Sequence, residues 1–354
     1  MIVAKFNKIK DAIINIFDKK NQLIYVVETN DWIIRWVGEH VVGNLSRSGL
    51  IQGRVSTSAA GLKNKIIHFG SINSFLGNGS LKNKKNNKIV LSWFHVVPGD
   101  ERLKYIAEIN ERIDLVATSC QATKKELLAA GLRKEKIVVI PLGVDLNDFR
   151  VLPSAEKEAI KIKLGLASSR ITIGSFQKDG NGWGEGLEPK LIKGPDIFCD
   201  VMERLAKKHP LQVLLTGPAR GYVKNRLTAA GIPFVHKIFK TQKELNECYN
   251  CLDLYLIASR VEGGPEALVE SWATAVPVVS TRMGMPADVV RDGENGILAE
   301  VNDVAGLAAG AEKILTEQIL REKLINNALS EVNKYSWEKL AGQYYEEIYH
   351  KLQP

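Results

Sequence analysis

Short apolar runs of strand length alternate with amphipathic helical patterns twice over in this chain, and that alternation restricts it to a parallel α/β architecture. In the first half, LIYVVE (23–28), KIIHF (65–69), KIVLSWF (88–94), DLVATS (114–119) and KIVVIPLGVD (136–145) read as strands. Helical patterns separate them, as over 101–113 and in TKKELLAAG, which Gly131 ends. After residue 150 the alternation restarts. RITIGSF (170–176), LQVLLTG (211–217), LDLYLIAS (252–259) and VPVVST (276–281) read as strands; PDIFCDVMERLAKKH, TQKELNECYNC and PEALVESWATA read as helices. A strand returned by a helix to its neighbour gives a parallel pair. The 354 residues exceed one ordinary core and suit two domains of about 100–200 residues each. The expectation is two doubly wound, Rossmann-like sheets, one over 1–150 and one over 151–335, with a last helix over 336–354. The linker is expected near 145–168, where PSAEKEAIKIK breaks the strand pattern. Open sheets of this kind bind ligands at the carboxyl ends of their strands, so the site is expected in the cleft between the two domains.

Composition removes several classes of function. An apolar share of 45% and a charged share of 25% fit a soluble globular protein. No apolar run reaches the roughly 18–20 residues that span a bilayer. Lys5, Lys8, Lys10 and Asp11 interrupt the start, so no signal-peptide pattern is present. Four cysteines argue for a reducing, cytoplasmic setting rather than a disulfide framework. The net charge of +8 is uneven: residues 1–88 carry 14 Lys/Arg against 5 Asp/Glu, whereas 167–354 carry 22 against 24. A basic end attracts anionic surfaces. Nucleic acid is not expected, because no zinc-finger, RNP-like or basic-zipper pattern accompanies it. Residues 2–17 set Ile2, Phe6, Ile9, Ile13 and Ile16 at helical spacing among lysines. Such a helix either lies on an anionic membrane surface or docks on its own domain.

The strongest local signal is SRVEGGPEALVESWATAVPVVST (259–281). A strand ends near Ser259; Glu262, Gly263, Gly264 and Pro265 follow. Proline is favoured where a helix begins, which places the start at about Pro265. The first-turn amides of Glu266, Ala267 and Leu268 then face the strand ends and form an anion site with the positive helix end behind it. The two glycines let a ligand approach the main chain closely. Glu262 and Glu270 are not read as a glycosidase pair, whose carboxylates must flank a single bond. They lie either side of a phosphate cradle, which suits a sugar hydroxyl at one end and a ribose hydroxyl at the other. A capping Glu plus a surface Glu is the plainer alternative.

The spacing Glu262-x(7)-Glu270, followed by ATAVPVVST, resembles glycosyltransferase family 4, the retaining family with the GT-B fold. ATSCQATKKELLAAGLRKEKIVVIPLGVDLNDF, IKGPDIF, VVRDGENGILAEVNDVAGLA and WEKLAGQYYEEIY resemble that family in order and spacing, over about residues 88–350. The resemblance implies a nucleoside-diphosphate sugar (UDP- or GDP-linked) as donor and co-substrate, with no metal or other cofactor. It implies a glycan or lipid-linked acceptor, as in cell-surface polysaccharide or glycolipid biosynthesis. Glu262 is then expected at the donor sugar and Glu270 at the ribose. Lys193, with Lys178 or the adjacent Gln177, is expected at the diphosphate, and His95 near the sugar. The base is expected along Val235 to Ile238, and the last helix is expected to return to the first domain.

Two departures stand out. The family's glycine pair after the first strand is missing from VVETNDWIIRWVG, which leaves Asn30, Asp31 and Trp32 as acceptor-side candidates. The basic pair is split by KDGNGWGEGLEPKLIKG (178–194), either a flap over the donor with Trp183 at its tip or a solvated loop. Cys248 and Cys251 read as buried thiols, since zinc would need two further ligands. His40 and His68 have no nameable partner in the sequence. The rival functions are an epimerase or phosphorylase of the same fold, and a non-catalytic nucleotide-sugar-binding subunit.

Overall fold

Each half of the chain builds one six-stranded sheet whose neighbouring strands pair in parallel. The structure is a computed structural model and describes residues 2–28, 33–78 and 86–353, with residues 2–5 in backbone alone. Two units result: Met1–Gly143 with Ser336–Pro354, and Val144–Tyr335.

The first unit runs α1 (Ile2–Phe17), β1 (Leu23–Val26), α2 (Ile33–Arg47), β2 (Gly53–Ser56), β3 (Ile66–Phe69), α3 (Ile72–Leu76), β4 (Lys88–Ser92), α4 (Ile106–Arg112), β5 (Leu115–Thr118), α5 (Gln121–Ala129) and β6 (Ile137–Val139). Its strand order is β2-β1-β3-β4-β5-β6. β1 and β3 are buried along their whole length, as helices on both faces require. β2 was not expected from the sequence. GRVS is a short, half-buried edge strand with no apolar alternation to announce it.

The second unit runs α6 (Ser154–Leu164), β7 (Ile171–Phe176), α7 (Pro195–Ala206), β8 (Leu211–Thr216), α8 (Gly221–Ala229), β9 (Phe234–Lys237), α9 (Gln242–Tyr249), β10 (Leu254–Ile257), α10 (Glu266–Ala273), β11 (Val278–Thr281), α11 (Gly284–Val289), β12 (Ile297–Ala299), α12 (Val304–Thr316) and α13 (Gln318–Val332). Its order, β12-β11-β10-β7-β8-β9, is that of a dinucleotide-binding sheet. The order reverses between β7 and β10, so ligands belong outside the ends of those two strands. The segment expected as a linker contains α6. Ile160, Leu152 and Leu166 bury against Leu214, Cys248 and Cys251 of this unit. The amides of Arg150 and Leu152 donate to Asn246 Oδ1 and Asn250 Oδ1 at 3.0 and 2.8 Å.

The chain then returns to the first unit through α14 (Trp337–Tyr344), a π-helical turn at Tyr345–Tyr349 and α15 (His350–Leu352). The wider turn brings Tyr344 and Tyr349 onto one side with rings stacked 6.2 Å apart. Tyr349 Oη lies 2.6 Å from His68 Nδ1, and Ser92 Oγ lies 2.8 Å from His68 Nε2. His40 stacks on Trp337 at 5.6 Å. Both histidines therefore have partners, supplied or completed by the distant carboxyl-terminal helices. No helix among the described residues is long and apolar enough to cross a membrane.

Burial lowers the pKa of His68 from 6.5 to about 3. The unfolded chain thus takes up this proton near pH 6.5 and the folded chain only near pH 3. The stability held by the neutral ring is complete above pH 6.5 and falls by about 1.4 kcal/mol per pH unit below it. Denaturant unfolding between pH 7 and pH 5 should show a steeper loss in the parent than in His68→Asn. Equal slopes would refute a buried neutral ring.

Candidate functional site at the switch point of the second unit

β7 ends at Phe176 and β10 at Ile257, and the chain leaving each strand carries the residues singled out in the sequence. After β10, Ser259 is buried and Glu262, Gly263 and Gly264 lead to α10. Pro265 is the cap (φ −72°, ψ 106°), so the helix starts one residue later than expected, at Glu266. The Leu268 amide donates to the Pro265 carbonyl at 3.0 Å and turns into the helix. This corrects the expected three-amide cradle: the first-turn donors left to face an anion are Glu266 and Ala267.

The loop after β10 is stitched to the turn that precedes α7. The amides of Arg260 and Val261 both donate to the Ile192 carbonyl, at 2.8 and 3.1 Å. The Arg260 guanidinium donates to Leu191 O at 2.7 Å and grips Asp196 at 2.8 and 2.6 Å. Gln177 Nε2 donates to Lys193 O at 3.2 Å. Two left-handed glycines permit this closeness. A Cβ on Gly194 (φ +63°) would stand 1.9 Å from Ala258 O, and one on Gly284 (φ +51°) would stand 2.0 Å from Glu262 O. Met285 N donates to Gly263 O at 2.8 Å, tying α11 to the same loop. The outcome is a direct ion pair between Lys193 Nζ and Glu262 Oε2, with side chains 20% and 13% exposed.

The insert between Lys178 and Gly194 has an anchored stem. Gly180 pairs with Pro189, and Lys190 N donates to Asp179 O at 2.7 Å. The first amides of α8, Gly221 and Tyr222, donate to Glu185 O and Gly186 O at 2.7 and 2.9 Å. Beneath it, Arg220 Nε stands 2.9 Å from Asp179 Oδ1, both side chains being fully buried. Arg220 Nη1 also donates to Ser175 O, Gln177 O and Thr216 O at 2.7–2.9 Å. The tip, 181–185, is exposed; there Trp183 is 64% exposed and lies under Lys178 Nζ at 4.2 Å.

Glu270 is buried one turn into α10, where Tyr249 Oη donates to its Oε2 at 2.6 Å. Tyr249 is wedged edge-on between Phe149 and Phe176, at 5.9 and 4.7 Å. Glu266 lies one turn before Glu270, with its Oε1 buried and making no hydrogen bond. Burial holds both carboxyls above their ordinary range; the charge of Glu270 adds to this at Glu266, and the Tyr249 hydroxyl partly offsets it at Glu270. Tyr249 lies 21 residues from Glu270, and no sequence spacing announced it.

The remaining candidates are dispersed. Val235 lies in β9, the edge strand, packed toward Leu214 and Cys248, and Ile238 follows it, exposed. His95 belongs to the first unit, just past β4, where its carbonyl accepts from Trp93 Nε1 at 3.2 Å and Arg102 Nη2 at 3.4 Å. Asn30, Asp31 and Trp32 lie outside the described residues. The second unit thus brings Glu262 and Lys193 into contact and sets Glu266 and Glu270 one turn apart on α10.

Gly284→Ala should cost about 1–3 kcal/mol through its left-handed backbone alone, with the Glu262 carbonyl contact adding to that. The check is thermal unfolding of the full chain. An unchanged midpoint would contradict the close approach.

Residues 187–331 match the family model described as glycosyl transferases group 1. Over 145 residues the chain is 33% identical to the 2-deoxystreptamine N-acetyl-D-glucosaminyltransferase of Niallia circulans, covering 40% of this chain and 37% of that one. It is 26% identical over 262 residues to the D-inositol 3-phosphate glycosyltransferase of Geodermatophilus obscurus, covering 69% and 52%. The chain thus spans about half or less of these curated relatives. Its fold matches that of Anabaena HepE, crystallised with UDP and glucose, at a TM-score of 0.77 and 15% identity, over 93% of this chain and 100% of that one. A glycosyltransferase from Rickettsia africae gives 0.71 at 17% identity, over 95% and 99%. Likeness at such identities establishes the fold, which is GT-B, with two Rossmann-like domains. The match to the glycosyl transferases group 1 model lies within the second unit of this GT-B chain.

Proposed function

We propose that the chain transfers a sugar, with retention at the anomeric carbon, from a nucleoside-diphosphate sugar to a hydroxyl of a glycan or lipid-linked acceptor. The Lys193–Glu262 pair at the switch point, directly before α10, carries the reading. In it, Glu262 accepts hydrogen bonds from donor-sugar hydroxyls and Glu270 from the ribose. Lys193 and Lys178 face the diphosphate with the amides of Glu266 and Ala267. The departing diphosphate gains negative charge, so cations fixed beside it act on rate as well as on binding. The lysines meet that charge with no metal assigned a part. Front-face attack, guided by the leaving phosphate, needs no covalent nucleophile. UDP- and GDP-sugars are the donors to try, and the complex of HepE with UDP and glucose favours starting with uridine. Glu262→Ala and Lys193→Ala should each lower transfer by about 10²–10³-fold with the fold intact. Parent-like rates in both would remove this site. The product anomer, read by NMR, tests retention. Donor consumed without acceptor and without glycoside would point to an epimerase instead.

The same reading places the acceptor at an anionic, cytoplasmic membrane face, in polysaccharide or glycolipid synthesis. Its support is the way α1 is mounted. Asp11 accepts from Thr57 N and Oγ1 at 2.6 and 2.7 Å, Asn15 Nδ2 donates to Ser58 O and Ala60 O, and Asp18 pairs with Arg54. The polar stripe holds the helix to its unit, while Phe6, Ile9, Ile13, Ile16 and Phe17 stand 54–75% exposed beside exposed Lys10, Lys19 and Lys20. The helix is therefore docked on its domain and still presents an apolar, basic face. In co-sedimentation with phosphatidylglycerol vesicles, Ile9→Asp/Ile13→Asp should abolish binding of the full chain. Binding equal to the parent would overturn this surface.

A further inference from the structure

The anchored insert brings a lysine that the split basic pair did not include. Lys190 opens the single 3-10 turn Leu191–Lys193, and its carbonyl accepts from Lys193 N at 2.8 Å. Its own amide is tied to Asp179 O, and Asp179 is held in place by the fully buried Arg220. The position of the Lys190 backbone is therefore set from both sides. Its side chain is half-buried and within electrostatic reach of Lys193, Glu262 and Lys178. Among the described residues, its ammonium makes no ion pair. Lys190 thus lies within electrostatic reach of two further lysines and of one carboxylate, which Lys193 engages directly.

We propose that Lys190 is a third cation of the diphosphate seat, delivered by the insert to hold the departing nucleoside diphosphate together with Lys193 and Lys178. This rests on the donor reading given above and adds to it a residue and a task for the insert. Without an anion the arrangement is costly. Burial, then the charges of Lys193 and Lys178, press Lys190 toward losing its proton, and Glu262 only partly offsets them. A diphosphate relieves that repulsion and receives charge-assisted hydrogen bonds in return. Clusters of like charge in a half-buried place, kept at the expense of stability, are where proteins bind the opposite charge. The reason for the long insert follows. Its stem, clamped to α8 and to the Arg220–Asp179 pair, is a bracket that carries Lys178 at one end and Lys190 at the other. Lys178 rests on the Trp183 ring.

The test is calorimetric titration of the full chain with UDP, GDP and pyrophosphate, and with uridine and guanosine as controls. Lys190→Gln keeps most of the aliphatic stem, and Lys190→Arg keeps the charge. Lys190→Gln should weaken the diphosphate the parent binds best by about tenfold or more, with nucleoside binding unchanged. It should also flatten the dependence of that affinity on salt, and Lys190→Arg should restore both. Parent-like diphosphate affinity in Lys190→Gln, alongside a loss in Lys193→Ala, overturns the role of Lys190 and leaves the donor reading standing. Equal weakening of nucleoside and diphosphate, or no rescue by arginine, also overturns it, because either marks a structural fault. If the parent binds none of the three anions, both readings fall.

Discussion

The Ile192 carbonyl, accepting from the amides of both Arg260 and Val261, is the contact on which the candidate site depends. It joins the chain leaving β10 to the chain entering α7, so the two loops at the switch point act as one piece. A carboxylate on one and an ammonium on the other can then meet across 69 residues of sequence. The arrangement tolerates no side chain at Gly194 or Gly284, because the opposing atoms are main-chain carbonyls that cannot move aside. Preorganisation of this kind gives a fixed charge its catalytic value, since nothing has to reorient when charge develops.

A second rigid element supports the first. Arg220 is buried to 1% exposure and spends its guanidinium on three main-chain carbonyls, a hydroxyl and Asp179. A buried ion pair is weak evidence for stability in itself. Its value here lies in location: it fixes the end of β7, the end of β8 and the base of the insert to one another. A glycine-rich stretch with an exposed tip is thereby converted into a support for lysines at both ends. The carboxyl pair on α10, Glu266 and Glu270, is the complementary case. Close approach in a dry setting makes ionisation of both costly, and the Tyr249 hydroxyl favours charge at Glu270.

The local part of the site was legible in the chain because it is encoded within one strand–loop–helix unit. Glu262, the two glycines, Pro265 and Glu270 occupy fixed offsets between a strand end and a helix start, and Lys193-Gly194 likewise precedes α7. Errors arose where the outcome turned on a distant partner or on a single turn of backbone. Leu268 lost its place in the cradle to the Pro265 carbonyl. The helix in PSAEKEAIKIK resembles a linker in the sequence because its buried face has little more than Ile160, and the residues that receive it lie at 214, 248 and 251. His68 had no visible partner because Tyr349 is 281 residues away.

What the sequence determined by itself is the class of fold and the place in it where chemistry belongs. Strand and helix periods, and the residues allowed at a helix entrance, are local properties of a chain. It also determined that residues 2–17 form a helix with an apolar stripe, but not which stripe faces inward. That was decided by Thr57, Ser58 and Arg54, which capture Asp11, Asn15 and Asp18 and leave the isoleucines outside. Likewise only the tertiary structure decided that Lys190 is tied to Asp179 at the base of the insert, and that Tyr249 meets Glu270. The reason is the same in each case. Hydrogen bonds and charge pairs act over a few ångströms of space, and distance along the chain carries no record of them until the sheets have formed.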